Sequence, residues 1–212
     1  MILLTGFEPF GGEPTNPSWS AVRRAAGLLA GQGHEAVAVE LPCVFGSSID
    51  VLGGALERFR PGIVLCVGQA GGRERISLER VAINVDDARI PDNAGRQPID
   101  EPVIQGGPAA YFSTLPIKAC REAVHRLGVP VEVSQTAGTY VCNHVFYGLM
   151  DLLAVRPGIR GGFIHVPYST EQGEANRQPG LAIEDMAAAL VAIATTTAGR
   201  TSDVRVPAGA EH

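Results

Sequence analysis

Residues 62–68 read GIVLCVG, an apolar run between two glycines. Consecutive apolar residues without alternating polar ones are typical of a strand that is buried on both faces of a parallel sheet. Upstream, ILLTGF (2–7) and EAVAVELPC (35–43) predict two further strands, and helices predicted over 17–31 and 47–60 separate the three strands. The order β-α-β-α-β indicates an α/β protein with a mostly parallel sheet covered by helices on both faces.

The rest of the chain continues this pattern with one interruption. Further helices are predicted over 116–128, 145–155 and 181–197, and further strands over 131–136 and 162–167. Residues 69–107 are rich in charge, Gly and Pro but also in Val and Ile, which predicts short antiparallel strands and loops at the edge of the sheet. Because no linker or repeat divides the chain, we expect a single catalytic domain over 1–200 and a polar tail over 201–212.

The composition restricts the class of protein. The chain has 212 residues, 45% of them hydrophobic and 18% charged, with a net charge of -5, which is typical of a globular protein without a basic surface for nucleic acid. No apolar run reaches the roughly 20 residues of a membrane span. MILLTGF lacks the basic region and cleavage site of a signal peptide, and the four cysteines form no CxxC pair. We therefore expect a cytoplasmic protein with no nucleic-acid or membrane partner.

Cys142 differs in position from the other cysteines. It lies in TYVCNHVFY (139–147), after a predicted strand and a turn at Gly138, and in or beside the first turn of the next predicted helix. Free N–H groups and the positive end of the helix dipole would lower the pKa of a thiol there. The local residues leave three interpretations open: a nucleophile, half of a Cys/His metal site, or a small apolar residue of a buried helix. Cys66 and Cys120 are expected to be packed thiols.

His165 is the better candidate for a base that serves Cys142. Ligands of open α/β sheets gather beyond the carboxyl ends of the strands, so the segments after residues 6, 68, 136 and 165 are expected to meet in one crevice. His165 ends the strand GFIHVP and lies on that rim. His144, two residues after Cys142, points to another side of the helix, which favours a capping or packing role.

Glu79 is the candidate acid. In ISLERVAINV the apolar positions change parity near residues 79–80, and Glu79 shares the parity of Val81, Ile83 and Val85. A carboxylate on that face needs a partner such as an imidazole. An exposed edge-strand Glu79 paired with Arg80 or Arg73 is the alternative. A thiol, an imidazole and an acid are the groups of a thiol hydrolase, whereas the ligands for a metal site and the motifs for nucleotide binding are lacking.

Five separated motifs resemble one family. They are GFEPFGG with NPSW (6–19), GQAGGRERISLERVAIN (68–84), DDARIPDN (86–93), VSQTAGTYVCNHVFY (133–147) and FIHVPY (163–168). In this order and spacing they resemble the cysteine-type pyroglutamyl peptidases, also called pyrrolidone-carboxylate peptidases. The resemblance implies a three-layer α/β/α sandwich of the phosphorylase/hydrolase type. It also implies a cytosolic, commonly homotetrameric enzyme that removes N-terminal pyroglutamate from peptides without a metal or cofactor.

The resemblance also implies roles for particular residues. The nucleophile falls on Cys142, the base on His165 and the orienting acid on Glu79. The remaining site residues implied are Phe7 and Phe10 as pocket walls, Asn16 and Gln69 as neighbouring polar positions, Val141 beside the nucleophile and Arg89 at the oxyanion.

Several alternatives stay open. Arg89 could instead pair with Asp86 or Asp87, and Phe7 could simply end a core strand. The polar segment 169–180 is not typical of the family, so no loop contact is carried over to it. A different amide hydrolase or acyl transferase, or a silent protein that binds pyroglutamate, are the other functions considered.

Overall fold

The computed structural model describes residues 1–209, which form a six-stranded sheet, two small two-stranded sheets and six helices. The strands are β1 (Ile2–Phe7), β2 (Ala36–Leu41), β3 (Ile63–Gln69), β4 (Ile76–Glu79), β5 (Val81–Ile83), β6 (Ala110–Phe112), β7 (Val131–Ser134), β8 (Arg160–Val166), β9 (Tyr168–Ser169) and β10 (Gly180–Leu181). The helices are α1 (Pro17–Gly31), α2 (Ser47–Phe59), α3 (Ile117–His125), α4 (Val141–Ala154), α5 (Thr170–Asn176) and α6 (Ile183–Ala198). None of the described helices combines the length and apolar character needed to cross a membrane.

The main sheet has the strand order β2-β1-β3-β8-β4-β7. Strands β1, β2, β3 and β8 are parallel, so the predicted β-α-β-α-β start is confirmed. Strand β4 is antiparallel to β8, and β7 is parallel to β4, so these two strands run the other way. The segment after β7 therefore leaves from the opposite edge to those after β1, β3 and β8, contrary to the carboxyl-end argument, although Thr136 and Cys142 within it reach the same region as Gly68 and Glu79.

Two apolar clusters lie on opposite faces of this sheet and produce three layers. The buried side chains of β3 alternate between them: Leu65 and Val67 face α1, α3 and α6, whereas Val64 and Cys66 face α2 and α4. Such burial on both faces is what the uninterrupted apolar run predicts. The three-layer α/β/α architecture expected from the sequence is thus confirmed.

The segment 69–107 was predicted only in part. Strand β5 pairs with β6 in a small antiparallel sheet, as expected for short strands outside the main sheet. Strand β4, in contrast, is a fully buried strand inside the main sheet, between β8 and β7. The change of parity near residues 79–80 marks the boundary between β4 and β5.

Two further differences concern the region of the site. Helix α4 begins at Val141, earlier than the predicted residue 145, so Cys142 lies in its first turn. The polar segment after Tyr168 forms β9, α5 and β10, and α5 begins with a capping box between Ser169 and Gln172.

Candidate active site

His165 lies near the end of β8, where its neighbours in the sheet are Gly68 on β3 and Ser77 on β4. Its Nδ1 is 2.7 Å from Oε1 of Glu79, and the two residues are only 4% and 0% exposed. Because an ionised carboxylate can only accept, Nδ1 carries the proton and donates it to Glu79. The other nitrogen, Nε2, is then the one with a free lone pair.

Glu79 stays ionised despite its burial. Burial acts to raise the pKa of its carboxyl, but the hydrogen bond and charge of His165, together with Ser134 and Arg73, outweigh burial and hold the pKa below its ordinary value of 4.5. Arg73 contributes through Nη1, 2.7 Å from Oε1 of Glu79. The proposed imidazole partner and the alternative partner Arg73 therefore both contact Glu79, which is buried in the sheet rather than exposed at its edge.

The sulfur of Cys142 lies against β3, the strand that pairs with β8 beside His165. A Cβ atom built on Gly68 would be 2.7 Å from Sγ of Cys142, and Gly68 is the register partner of His165. Among residues 1–209, Nε2 of His165 has no hydrogen-bond partner, so its lone pair is free to accept a proton. The sulfur, the imidazole and the carboxylate, which are far apart in the sequence, are thus gathered in one region.

The pKa of the Cys142 thiol is raised, whereas the sequence predicted that it would be lowered. Burial is the main cause, the neighbouring Cys43 and Glu79 add to it, and Arg73 opposes them. The residue is still only partly buried. We infer that the thiol is protonated at neutral pH in the free protein, so that it needs a base to become a nucleophile.

Asn143 fixes the start of α4 and was missed by the sequence analysis. Its Oδ1 accepts a hydrogen bond from the N–H of Ile83 (3.0 Å), and its Nδ2 donates to the carbonyl oxygens of Ile83 (2.9 Å) and Val85 (3.0 Å). The residue is fully buried. An amide among the apolar residues of VCNHVF was the signal, because a buried amide needs such partners. These bonds hold Cys142 in place through its neighbour.

His144 is engaged elsewhere, as its position after Cys142 suggested. Its Nδ1 is 2.7 Å from Oδ2 of Asp86, and the N–H of Gly46 donates to its Nε2 over 2.9 Å. Because Nε2 accepts, the proton lies on Nδ1 and is donated to Asp86. With both ring nitrogens occupied, His144 is not available to Cys142.

An aromatic wall stands beside the start of α4. Phe7, at the end of β1, is 3% exposed and packs 6.4 Å from Phe163, measured between ring centroids. Phe10 is partly exposed and lies 6.0 Å from the ring of Tyr140, which directly precedes α4. Phe7 is thus a core residue and also part of an apolar surface that reaches the site through Phe163.

Asn16 and Val141 have roles within the fold. Asn16 is the N-cap of α1: its Oδ1 accepts from the N–H of Ser18 (3.0 Å), and its Nδ2 donates to the carbonyl of Glu8 (3.0 Å). Val141 is fully buried in the cluster beneath α4. The side chain of Val141 is therefore core, and its backbone is the part that flanks Cys142.

Gln69 and Arg89 are the two predicted site residues whose roles the structure supports least directly. The alternation along β3 puts the side chain of Gln69 on the face opposite to Gly68, where Oε1 is buried and has no partner among the described residues. Arg89 is exposed, and within residues 1–209 it forms no ion pair with Asp86 or Asp87. The alternative considered for Arg89 is thus not observed, and its place at the oxyanion remains a prediction.

A metal has no evident place in this part of the molecule. Within residues 1–209, no group of three or more His, Cys, Asp and Glu side chains could hold a metal ion. The Cys/His metal interpretation of Cys142 also lacks its second ligand, because His144 is bonded to Asp86 and Gly46.

A three-layer α/β/α fold with a thiol, an imidazole and a buried carboxylate in one region is that of a cysteine-type hydrolase. The sequence model of the pyroglutamyl peptidase family matches residues 1–200, and the chain belongs to this family. It is 56% identical to the pyrrolidone-carboxylate peptidase of Cupriavidus taiwanensis over 100% of this chain and 99% of that protein. The corresponding protein of Streptomyces coelicolor is 55% identical over the same shares of the two chains.

Solved structures of the family have the same fold. The crystal structure of pyroglutamyl peptidase I from Bacillus amyloliquefaciens is similar with a TM-score of 0.91 and 50% identity, covering 96% of this chain and 98% of that one. A mutant pyrrolidone carboxyl peptidase from the hyperthermophile Pyrococcus furiosus is similar with a TM-score of 0.87 and 40% identity, covering 93% and 98%. The family resemblance seen in the sequence motifs is therefore confirmed.

Proposed function

We propose that this protein hydrolyses the N-terminal pyroglutamyl residue from peptides through a thioester acyl-enzyme and releases pyroglutamate. The observation that carries the proposal is the 2.7 Å contact between His165 and the buried Glu79, with Sγ of Cys142 over the neighbouring Gly68. This arrangement supports Cys142 as the nucleophile, His165 as the base and Glu79 as the orienting acid. The names of the similar proteins, pyrrolidone-carboxylate peptidase, support the choice of substrate.

The three residues divide the chemistry among them. Nε2 of His165 takes the proton of Cys142 as the sulfur attacks the pyroglutamyl carbonyl carbon, which gives a tetrahedral adduct. His165 then gives the proton to the leaving amine, the C–N bond breaks, and a thioester forms on Cys142. Water, activated by the same imidazole, hydrolyses the thioester to pyroglutamate and free thiol. Glu79 keeps the tautomer with the proton on Nδ1 throughout.

The oxyanion of the adduct needs donors at the start of α4. The start of α4 supports this, because among the described residues no side chain caps its first N–H groups. Backbone N–H groups there can donate to a developing negative charge next to Cys142. Arg89 is proposed to add a positive charge to the same oxyanion.

The lactam ring is flat and uncharged, so its pocket requires apolar walls and a few fixed polar groups. Phe7 and Phe10 are proposed as walls, and the backbone of Val141 as the side next to the nucleophile. Because the side chain of Gln69 faces away, its proposed contribution is through the backbone. Asn16 is proposed to act by holding the Glu8–Asn16 loop, and with it Phe10, in place.

The wider proposal is a cytoplasmic homotetramer that works without a metal or cofactor. A free nucleophilic thiol is best preserved in a reducing compartment, which supports the location. The subunit number comes from the family resemblance and is tested by the mass of the native protein in solution.

One assay separates this function from the alternatives. The protein is incubated with a pyroglutamyl arylamide and with a matched prolyl arylamide, before and after alkylation by iodoacetamide, and Cys142→Ala is compared. Selective cleavage of the first amide that is lost with the thiol supports the proposal. Thiol-dependent turnover of another amide alone would indicate a different hydrolase, and binding of pyroglutamate without turnover would indicate a silent binding protein.

A further inference from the structure

Arg73 connects three segments of the candidate site. It lies in the loop that follows β3, and its Nη1 donates to Oε1 of Glu79 on β4 over 2.7 Å. The same nitrogen is 3.5 Å from Oγ of Ser134 on β7. Its Nη2 donates over 3.1 Å to the carbonyl of Thr136, in the segment that leads to Cys142.

Nη1 and Nη2 of Arg73 bind different partners. Nη1 shares Oε1 of Glu79 with Nδ1 of His165, so that one carboxylate oxygen accepts from both. Because Nη2 donates to the carbonyl of Thr136, the guanidinium also connects the turn before α4 to the Glu79 carboxylate. Only a guanidinium presents several donors in a fixed plane, which suits such a bridge better than an ammonium group does.

We propose that Arg73 is a positioning residue: it holds Glu79 as the ionised partner of His165 and fixes the turn that leads to Cys142. Its effect on the reaction rests on the proposed function, whereas its effect on Glu79 and Cys142 does not.

Neighbouring arginines do not duplicate this role. Arg80 is directed elsewhere, with Nε donating to Gln135 and Nη2 to the carbonyl of Ala208. Arg75 is exposed and has no hydrogen bond or ion pair among the described residues, so it offers a control with the same change of charge close by.

The groups that face the two titrating residues define what a substitution changes. Glu79 is faced by His165, Ser134 and Arg73. Cys142 is faced by Cys43, Glu79, Arg73 and Tyr140, besides His165 beyond Gly68. Arg73 is the one cation in both sets that does not take part in proton transfer, and it lowers the pKa of each residue.

The test compares Arg73→Gln, Arg73→Lys and Arg75→Gln with the unmodified protein. The rate of Cys142 alkylation by iodoacetamide is measured against pH, with Cys142→Ala as the blank, and kcat and KM are measured against pH with a pyroglutamyl arylamide. For Arg73→Gln we expect the alkylation curve to move to higher pH. We also expect kcat to fall by about 10- to 100-fold with KM little changed, as for partners that orient metal-bound histidines.

Arg73→Lys keeps the charge but loses the bridge to Thr136. We expect Arg73→Lys to keep the pH dependence of alkylation and the fall of kcat at acidic pH seen in the unmodified protein. Its kcat should lie between those of the unmodified protein and Arg73→Gln. Arg75→Gln should change neither curve. Unchanged alkylation and kcat in Arg73→Gln, or a folded Arg73→Lys that behaves like Arg73→Gln in both curves, would overturn the proposal. Alkylation needs no substrate, so a shifted curve in a protein that cleaves no pyroglutamyl amide would contradict the proposed function alone.

Discussion

The sulfur of Cys142 rests against the backbone of Gly68. A Cβ atom on residue 68 would lie 2.7 Å from Sγ and 2.8 Å from the ring of Phe163, closer than such atoms can approach. Gly68 is also the sheet neighbour of His165. A residue without a side chain is therefore what allows the sulfur of Cys142 to approach β3 beside His165.

We predict that Gly68→Ala lowers kcat by about 100-fold, because a displacement of the order of 1 Å is enough to spoil the alignment of reacting groups. The measurement is kcat with a pyroglutamyl arylamide on protein shown to be folded by circular dichroism. Gly27→Ala is the matched control, since a Cβ there meets nothing within 4 Å and the position is helical. A folded Gly68→Ala with the original kcat would show that the sulfur does not need this position.

A comparison of Glu79→Gln with Cys142→Ala should separate the loss of the orienting acid from the loss of the thiol. The amide keeps the size of the side chain but cannot impose the tautomer with the proton on Nδ1, because it can also donate. We expect kcat to fall by roughly 10³- to 10⁴-fold, and by more, roughly 10⁶-fold, in Cys142→Ala, following the pattern of other triads. Equal losses in the two variants would contradict an orienting role for Glu79.

Glu79 should also make stability depend on pH. Its folded pKa lies below the ordinary value of 4.5, so the folded state binds its proton less readily than the unfolded state does. The resulting stabilisation is present above pH 4.5 and is lost as the pH falls through the folded pKa. The free energy of unfolding in urea should therefore differ most between wild type and Glu79→Gln near neutral pH. A difference that stays constant down to strongly acidic pH would contradict this linkage.

Substitution of His165 should affect turnover, whereas substitution of His144 should affect stability. His165→Ala is expected to abolish turnover. His144→Ala leaves the buried Asp86 and the N–H of Gly46 without their partner, which we expect to cost about 2 to 3 kcal/mol in the free energy of unfolding while kcat of the folded fraction changes little. Urea unfolding and kcat, measured on both variants, check this. A His144→Ala protein that is stable but inactive would reverse the two roles.

Much of this arrangement could be predicted because local patterns decide it. The apolar run of β3 predicted a doubly buried strand, and the carboxyl-end rule placed His165 at the rim. The parity change after Glu79 reflected a real boundary between strands. Motif resemblance then added what single patterns could not, namely the family.

What was missed depends on long-range pairing and on solvent exposure. The direction of β7 follows from its pairing with β4, residues far away in the sequence. The raised pKa of Cys142 follows mainly from burial and in part from the charge of Cys43, neither of which a local pattern reveals. Asn143 gains its role only through partners that the fold brings to it, and Arg73, considered from the sequence as a partner of Glu79, gains its bond to Thr136 in the same way.

The C-terminal segment supplies the last prediction. We propose that the catalytic domain ends near residue 200 and that a polar tail follows. Within this tail Asp203 accepts from the N–H groups of Lys118 (3.0 Å) and Ala119 (2.9 Å), and so caps α3, which begins after a Pro116 that has no capping side chain.

Removing this cap exposes two donors at a helix N-terminus, so we expect Asp203→Ala to lower the free energy of unfolding by about 1 kcal/mol without changing kcat. Ser202→Ala is the control, because its side chain has no hydrogen bond among the described residues. Urea unfolding and the arylamide assay measure the two effects. If Asp203→Ala and Ser202→Ala are equally stable, the tail does not hold α3 in solution; if kcat falls with stability intact, the tail belongs to the catalytic unit.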